Sequence, residues 1–225
     1  MHRAGTRVAI VEDHALFAES LVIALNLEGY DVRQIALGDP GRSVSTLLPA
    51  ILRTNPRIVL LDLDLGSHGN GARLVEPLTR SGVAVIVVTG NIERSRWGEA
   101  LAHGARKVMP KSSPLNDIAA TIRKVSQGLP VTSIEERTDL LRAWHAEQAT
   151  VREARAKLER LTRRESEVLG HFLEGRQVKE IASLSVVSEA TVRTQVKAIL
   201  AKLGVSSQLA AVGVARQARW TPPQQ

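Results

Sequence analysis

The sequence has no cysteine. That excludes a disulfide framework and any thiolate metal site, and it fits a reducing compartment. Aromatic residues are scarce, at 3% of 225 residues, so a core has to be filled by Leu, Val, Ile and Ala. No apolar run approaches the roughly 20 residues of a membrane-crossing helix. The opening stretch, "MHRAGTRVAIVEDH", turns acidic too early for a secretory signal. A cytoplasmic protein with no membrane partner is expected. What the chain does have is apolar content, 44%, enough for a real core. It also has a formal net charge of +7, an excess that points to a polyanionic partner.

The first half alternates strand-like and helix-like segments. "RVAIV", Arg7 to Val11, reads as a buried strand, and "ALFAESLVIALNLEG" as a helix stopped by Gly29. Further strands are expected at "YDVRQIA", "RIVLLDLD", "VAVIVVTG" and "KVMP". Helices are expected at "SVSTLLPAILRTNP", "GARLVEPLTRSG", "ERSRWGEALAHGA" and "LNDIAATIRKVSQG". Pro49 belongs near a helix start or a kink. Ser113 and Pro114 suit the N-cap and first turn of the last helix. Continuous apolar strands between amphipathic helices imply a parallel sheet covered on both faces. Five such units suit an α/β fold, the flavodoxin-like doubly wound five-stranded parallel sheet, whose ligands sit at strand C-terminal ends.

In that winding the first and third strands are neighbours. Glu12 and Asp13 end the first and Asp62 ends the third, so three acids converge. Clustered carboxylates repel unless a cation joins them, and oxygen donors favour a hard ion such as Mg²⁺. Thr89 ends the fourth strand and Lys111 follows the fifth, at the same edge. A carboxylate nucleophile beside a hydroxyl, an ammonium and a metal makes a phosphoryl-transfer site. His14 and His68 flank it and read as surface or loop residues, since neutral imidazole is a poor Mg²⁺ ligand.

On these residues, positions 7 to about 127 resemble the receiver domain of two-component response regulators. The resemblance implies that Asp62 accepts phosphate. It implies that Asp13 and Asp62 bind Mg²⁺ directly, with Glu12 acting through water and the backbone carbonyl of Asp64 as a further ligand. Thr89 and Lys111 become the switch and phosphoryl contacts. Three features depart from the family pattern. "LGSHGNG" follows the acceptor where Pro and Gly are common, Gly90 replaces the usual Ala, and Val108 stands where an aromatic switch residue is usual. Asp-x-Asp after an apolar strand also resembles the opening of the haloacid-dehalogenase phosphatases. That reading lacks a downstream acidic cluster, since Glu76, Glu93, Glu99 and Asp117 are scattered, and it leaves Glu12 and Asp13 idle.

From residue 131 to 160 there is no glycine or proline, and opposite charges interleave. A long solvated helix is expected. Trp144, Val151 and Leu158 recur every seven residues with Leu140, Ala154 and Leu161 beside them. The matching column of Leu141, Gln148 and Arg155 is polar after its first member. A linker laying one stripe on its neighbours therefore outweighs a dimerising coiled coil. From Leu161 onward nine Lys/Arg stand against five Glu, more than half of the net excess. Thr162 with Glu165 forms a capping box; Ser188 caps and Gly204 stops a later helix. Wound at ~100° per residue, that helix places Val192, Val196, Ile199 and Leu203 on one face. Arg193, Thr194, Lys197 and Ala201 fall on another. The first face packs, and the second suits a DNA major groove. The tail "TPPQQ" reads as loose.

"LTRRESEVLGHFLEGRQVKEIA", "SEATVRTQVKAILAKLGV" and "SSQLAAV" resemble the LuxR-type helix-turn-helix over residues 161–215. The resemblance implies that Arg193, Thr194 and Lys197 face bases, with Lys179, Thr191 and Lys202 as secondary candidates for phosphate contact. Gln195 stands where His is common and Gln208 where Arg is common. Ser185 falls near a usually buried Leu, for which Leu184 is expected to compensate. Together the two resemblances imply a response regulator of the NarL/FixJ class, not an enzyme. Its parts would be a receiver at 1–129, a helical linker at 130–160 and a helix-turn-helix domain at 161–225. A histidine kinase, double-stranded DNA and a second copy of the chain are the implied partners. The alternative is a phosphorylation-independent DNA binder whose receiver is an interaction module, and more remotely a Mg-dependent aspartyl-phosphate phosphatase.

Overall fold

The five apolar segments form one parallel sheet. β1 (Arg7–Val11), β2 (Asp31–Gln34), β3 (Ile58–Leu61), β4 (Ala84–Thr89) and β5 (Lys107–Pro110) stand in the order β2-β1-β3-β4-β5. This is the flavodoxin-like winding expected of the sequence. Val11 lies opposite Leu61, so the residues that follow, Glu12 and Asp62, leave the sheet side by side. These coordinates belong to a computed structural model that describes residues 5–39 and 43–222.

Side chains alternate across the sheet with the period of two that a strand imposes. Ala9, Val11, Val59, Leu61, Val85 and Val87 enter one core, while Val8, Ile10, Ile58, Leu60, Ile86 and Val88 enter the other. All are buried, which is why the strands read as unbroken apolar runs. α1 (Ala15–Leu27) and α5 (Leu115–Ser126) cover the second core; α2 (Leu48–Arg53), α3 (Ala72–Arg80) and α4 (Arg94–Ala102) cover the first. A 3-10 turn at Val44–Leu47 leads into α2, so Pro49 lies at a helix start and not at a kink. α5 begins one residue later than the Ser113 cap implied. Pro114 is itself extended, at ψ 140°, and occupies the capping position.

α6 (Ile134–Leu158) is a single helix of 25 residues. Its Leu140 belongs to the first sheet core, and its Ala154 and Leu158 belong to the helical core that follows. The apolar stripe is thus laid on its neighbours. By compactness the chain divides into Met1–His145 and Ala146–Gln225, with α6 running from one unit into the other.

The second unit holds α7 (Arg163–Leu173), α8 (Val178–Leu184), α9 (Glu189–Leu203) and α10 (Gln208–Gln217). The Thr162–Glu165 capping box is present. Ser188 Oγ accepts from Thr191 N at 3.1 Å, and Gly204 ends α9 in the left-handed region at φ 70°. Leu184 does not compensate for Ser185: it is 58% exposed. The turn has not shifted to bring it inward. Ser185 N closes α8 on Ile181 O at 2.9 Å, and the chain reverses at Val186 with φ 53°. Leu184 therefore stays on the outer face. Of the tail expected to be loose, residues 223–225 lie outside the described residues. No single helix among the described residues is long and apolar enough to cross a membrane.

Candidate functional site

Four strand ends build the site, those of β1, β3, β4 and β5. Lys111, just past β5, places its Nζ 2.7 Å from Glu12 Oε1 and 2.7 Å from Asp62 Oδ2. Glu12, Asp62 and Thr89 are all buried, with Thr89 at 0% exposure. Thr89 sits opposite Pro110 in the sheet, and its carbonyl accepts from Lys111 N at 2.9 Å. Asp13 joins at the rim: ligand atoms of Glu12, Asp13, His14 and Asp62 lie within 4.8 Å of one another. The structure therefore brings together residues spread over a hundred positions of sequence. Burial alone would lower the Lys111 pKa. Its hydrogen bonds to Asp62 and Glu12 outweigh that cost and hold the ammonium above the ordinary lysine value.

The charges do not balance. Glu12, Asp13 and Asp62 face one ammonium, so the cluster keeps an excess of negative charge. Repulsion of this kind is relieved when a further cation shares the site. Its donors are carboxylate oxygens, which fit a hard divalent ion such as Mg²⁺.

The loop after Asp62 is shaped by residues that composition and spacing did not single out. Leu63 and Leu65 are fully buried and pin alternate residues, so Asp62 and Asp64 face away from them. Asp64 N donates to Asp62 Oδ1 at 3.2 Å. The loop then closes on itself through Leu65 N to Gly69 O at 3.1 Å and Gly71 N to Leu63 O at 2.7 Å. Gly71 is required by space: a Cβ there would lie 2.0 Å from the Asp62 carbonyl oxygen. Gly66 combines φ 53° with a hypothetical Cβ 3.0 Å from Asp13 Oδ2. The clue in the sequence was glycine spacing within "LGSHGNG", but its meaning depended on which backbone lay opposite.

Two more side chains join the rim. His14 was expected to be a surface residue, and its side chain is indeed 69% exposed. Yet its Nδ1 lies 2.8 Å from Asp13 Oδ1, 3.1 Å from Glu12 Oε1 and 3.1 Å from Lys111 Nζ. Arg96 of α4 reaches Asp64 Oδ1 at 3.0 Å and so ties α4 to the acceptor loop. Val108 is buried in the sheet core and has no ring to swing.

In the second unit α9 presents the two faces its sequence implied. Val192, Val196, Ile199 and Leu203 are buried. Arg193, Thr194 and Lys197 are exposed. Arg193 Nη2 rests 3.2 Å from Glu189 Oε2, and Thr194 Oγ1 donates to Ala190 O at 3.0 Å. Thr191 is engaged at the N-terminus of α9, its Oγ1 2.9 Å from Ser188 Oγ. Lys179 is exposed on α8. Lys202 already has a structural partner, Glu165 Oε2 at 2.6 Å. Arg176, Lys179, Arg193 and Arg216 line a groove of about 670 Å³ that contains one acid, Glu189. That field suits a polyanion.

Comparison with known proteins fits each unit. Residues 8–123 match the response regulator receiver domain, and residues 159–215 match the bacterial regulatory proteins of the luxR family. The chain is 30% identical over 218 residues to the probable transcriptional regulatory protein NarL of Mycobacterium tuberculosis, covering 95% of this chain and 94% of that one. It is 25% identical over 213 residues to the transcriptional regulatory protein DesR of Bacillus subtilis, covering 95% and 98%. Among solved structures, the RcsB–DNA complex superposes with a TM-score of 0.51 at 22% identity, covering 95% and 98%, a likeness of fold. The chain belongs to the response regulators that join a receiver domain to a LuxR-family DNA-binding domain.

Proposed function

We propose that Asp62 receives a phosphoryl group from a histidine kinase and that this controls how residues 161–225 bind DNA to regulate transcription. On this reading residues 1–129 are the receiver, 130–160 the linker and 161–225 the output domain of a cytoplasmic protein. The observation that carries it is the half-buried Lys111 ammonium, 2.7 Å from both Glu12 and Asp62. An Asp62 oxygen attacks the phosphorus of a phosphohistidine, the P–N bond breaks, and the histidine nitrogen leaves with the electron pair. Lys111 is already placed to hold a phosphoryl oxygen, and the Thr89 hydroxyl can donate to a second. A Mg²⁺ ion held by Asp13, Asp62 and the Asp64 carbonyl, with Glu12 through water, would supply charge neutralisation for those oxygens. Turnover of free substrate is not part of this design: the acceptor is the protein itself.

On the DNA side, Arg193, Thr194 and Lys197 are the base-reading residues, with Lys179, Thr191 and Lys202 as secondary candidates for phosphate contact, the last two only by leaving Ser188 and Glu165. The exposure of the first three supports this. Two copies on two half-sites form the active assembly.

Beryllofluoride with Mg²⁺ tests the proposal on the full chain, read by light scattering and by DNA-binding titration. Dimer formation and tighter DNA binding are expected, and Asp62→Asn loses both. Unchanged assembly and unchanged affinity would instead favour a phosphorylation-independent DNA binder, which Val108 in place of a switch ring makes worth testing. Steady phosphate release from a small phosphoester, lost in Asp64→Asn, would identify a phosphatase.

A further inference from the structure

We propose that the phosphorylation signal leaves the receiver through α4 and enters the first half of α6, with Trp97 as the moving ring. The inference rests on Asp62 being the phosphoacceptor. It answers the question raised by Val108, which occupies the usual place of the switch aromatic and is locked in the sheet core.

A continuous chain of bonds runs from the site to Trp97. Thr89 Oγ1 accepts from Asn91 N at 3.1 Å, and Asn91 O accepts from the Trp97 indole Nε1 at 2.7 Å. A phosphoryl group on Asp62 draws the Thr89 hydroxyl toward its oxygens and away from Asn91 N. Asn91, whose carbonyl in the next peptide unit holds the indole, then loses its anchor to the pocket and can shift. Arg96, next to Trp97, pairs with Asp64 two residues beyond the acceptor, so α4 is bound to the pocket on a second side.

The next residue meets the linker. A Cβ on Gly98 would lie 2.0 Å from the Leu140 carbonyl oxygen and 2.8 Å from Trp144 Cβ. Backbone touches backbone at that point, with no flexible side chain between them to absorb a displacement. Around it the start of α6 is fastened to the same surface. Lys107 Nζ pairs with Glu136 Oε2 at 2.6 Å, Arg137 Nη2 donates to Leu101 O at 3.2 Å, and Leu140 is 2% exposed. A one-residue change of level in α4 is therefore felt by α6, which continues unbroken to Leu158.

The seam is also imperfect. Trp144 Nε1 and His103 Nδ1 are buried without hydrogen-bond partners, and their rings meet edge-on at 6.1 Å. Buried polar atoms left unmet disfavour the docked arrangement relative to one in which water reaches them. A packed contact with such a defect can release as a unit, as two-state interfaces do. Docked α6 with an unmodified Asp62 and released α6 with a modified one are the two states.

Hydrogen exchange on the full chain, with and without beryllofluoride and Mg²⁺, tests this. In the natural chain, exchange should change in the loop at 62–71 and quicken about tenfold at 134–145. Trp97→Phe keeps a ring but lacks the indole donor. It should still respond at 62–71 while 134–145 changes less than about twofold. Gly98→Ala should leave 134–145 fast from the outset and, by reciprocity of coupling, bind beryllofluoride several-fold more tightly. Glu136→Gln should do the same more weakly, and it leaves the α4 core intact should the alanine variant fold poorly. A response at 62–71 with none at 134–145 in the natural chain overturns the relay and leaves the phosphoacceptor standing. So does full transmission in Trp97→Phe. No response at 62–71 in the natural chain removes the phosphoacceptor and the relay together.

Discussion

Gly66, in the loop after Asp62, and Val186, in the turn between α8 and α9, hold the same backbone φ of 53°. In the first loop the left-handed position is given to glycine, which adopts it without a clash. In the second it is given to a β-branched residue, at a cost of about 1–2 kcal/mol. Val186 recovers nothing by burial, being 89% exposed. The acceptor loop is anchored by Leu63 and Leu65 and stands against the reacting carboxylate, so a small displacement there moves Asp62 itself. The turn has only to hold an angle between two helices, and Ile181 and Val192 on either side secure that angle from the core. Tight geometry is kept where chemistry depends on it, and strain is tolerated where packed neighbours already decide the shape.

The contrast is broken most forcefully at Gly71. Alanine there puts a methyl group 2.0 Å from the Asp62 carbonyl oxygen, and both are main-chain positions with little room to yield. Gly71→Ala should destabilise the receiver by about 3 kcal/mol and abolish beryllofluoride binding, while exchange at 161–215 stays unchanged. A fully active Gly71→Ala protein would mean that the loop is as tolerant as the turn. In the output domain the comparable fixed point is Glu165. Its carboxylate accepts from Thr162 N at 2.6 Å and from Lys202 Nζ at 2.6 Å. Burial alone would raise its pKa, but Lys202 and Thr162 outweigh burial and hold it below the ordinary glutamate value of 4.5. The folded state thus binds the proton less readily than the unfolded chain. That stabilisation is complete above pH 4.5 and is lost as pH falls through the lowered folded value. Glu165→Gln should cost about 1–2 kcal/mol at neutral pH and flatten the acid limb of output-domain unfolding. An acid limb of the same slope in the variant would assign the pH dependence to other groups.

How much could be read in advance follows the same division. The sheet was legible because a strand buried on both faces writes itself as an apolar run, as "RIVLL" and "VAVIVV" do. The pocket was legible because the winding order alone brings Glu12, Asp62 and Lys111 to one edge. Capping residues Thr162 and Ser188 were legible because their hydrogen bonds are local. What depended on distant backbone was not. Nothing near Gly98 in sequence announces Leu140, and nothing near Asp64 announces Arg96. His14 is the surface residue its sequence implied, but its contacts with Glu12, Asp13 and Lys111 were not announced, because Lys111 lies 97 positions away. Leu184 was misjudged because two registers of the α8–α9 turn are possible by composition, and the choice lies with a strained φ that sequence does not display.

Val186 offers the finest test of that choice. Asparagine enters the left-handed region far more readily than valine, because its side chain is not β-branched and can hydrogen-bond locally. At 89% exposure the valine methyls give up almost no burial when removed. Val186→Asn should therefore stabilise the output domain by about 0.5–1 kcal/mol, seen as slower exchange at 161–215 with the receiver amides unaffected. The gain should appear in global unfolding and leave DNA affinity within about twofold, since Arg193, Thr194 and Lys197 keep their places on α9. If asparagine instead destabilises the domain, the turn is held by contacts of the valine side chain. The two loops would then differ in what they pack against, and not in how much strain they carry.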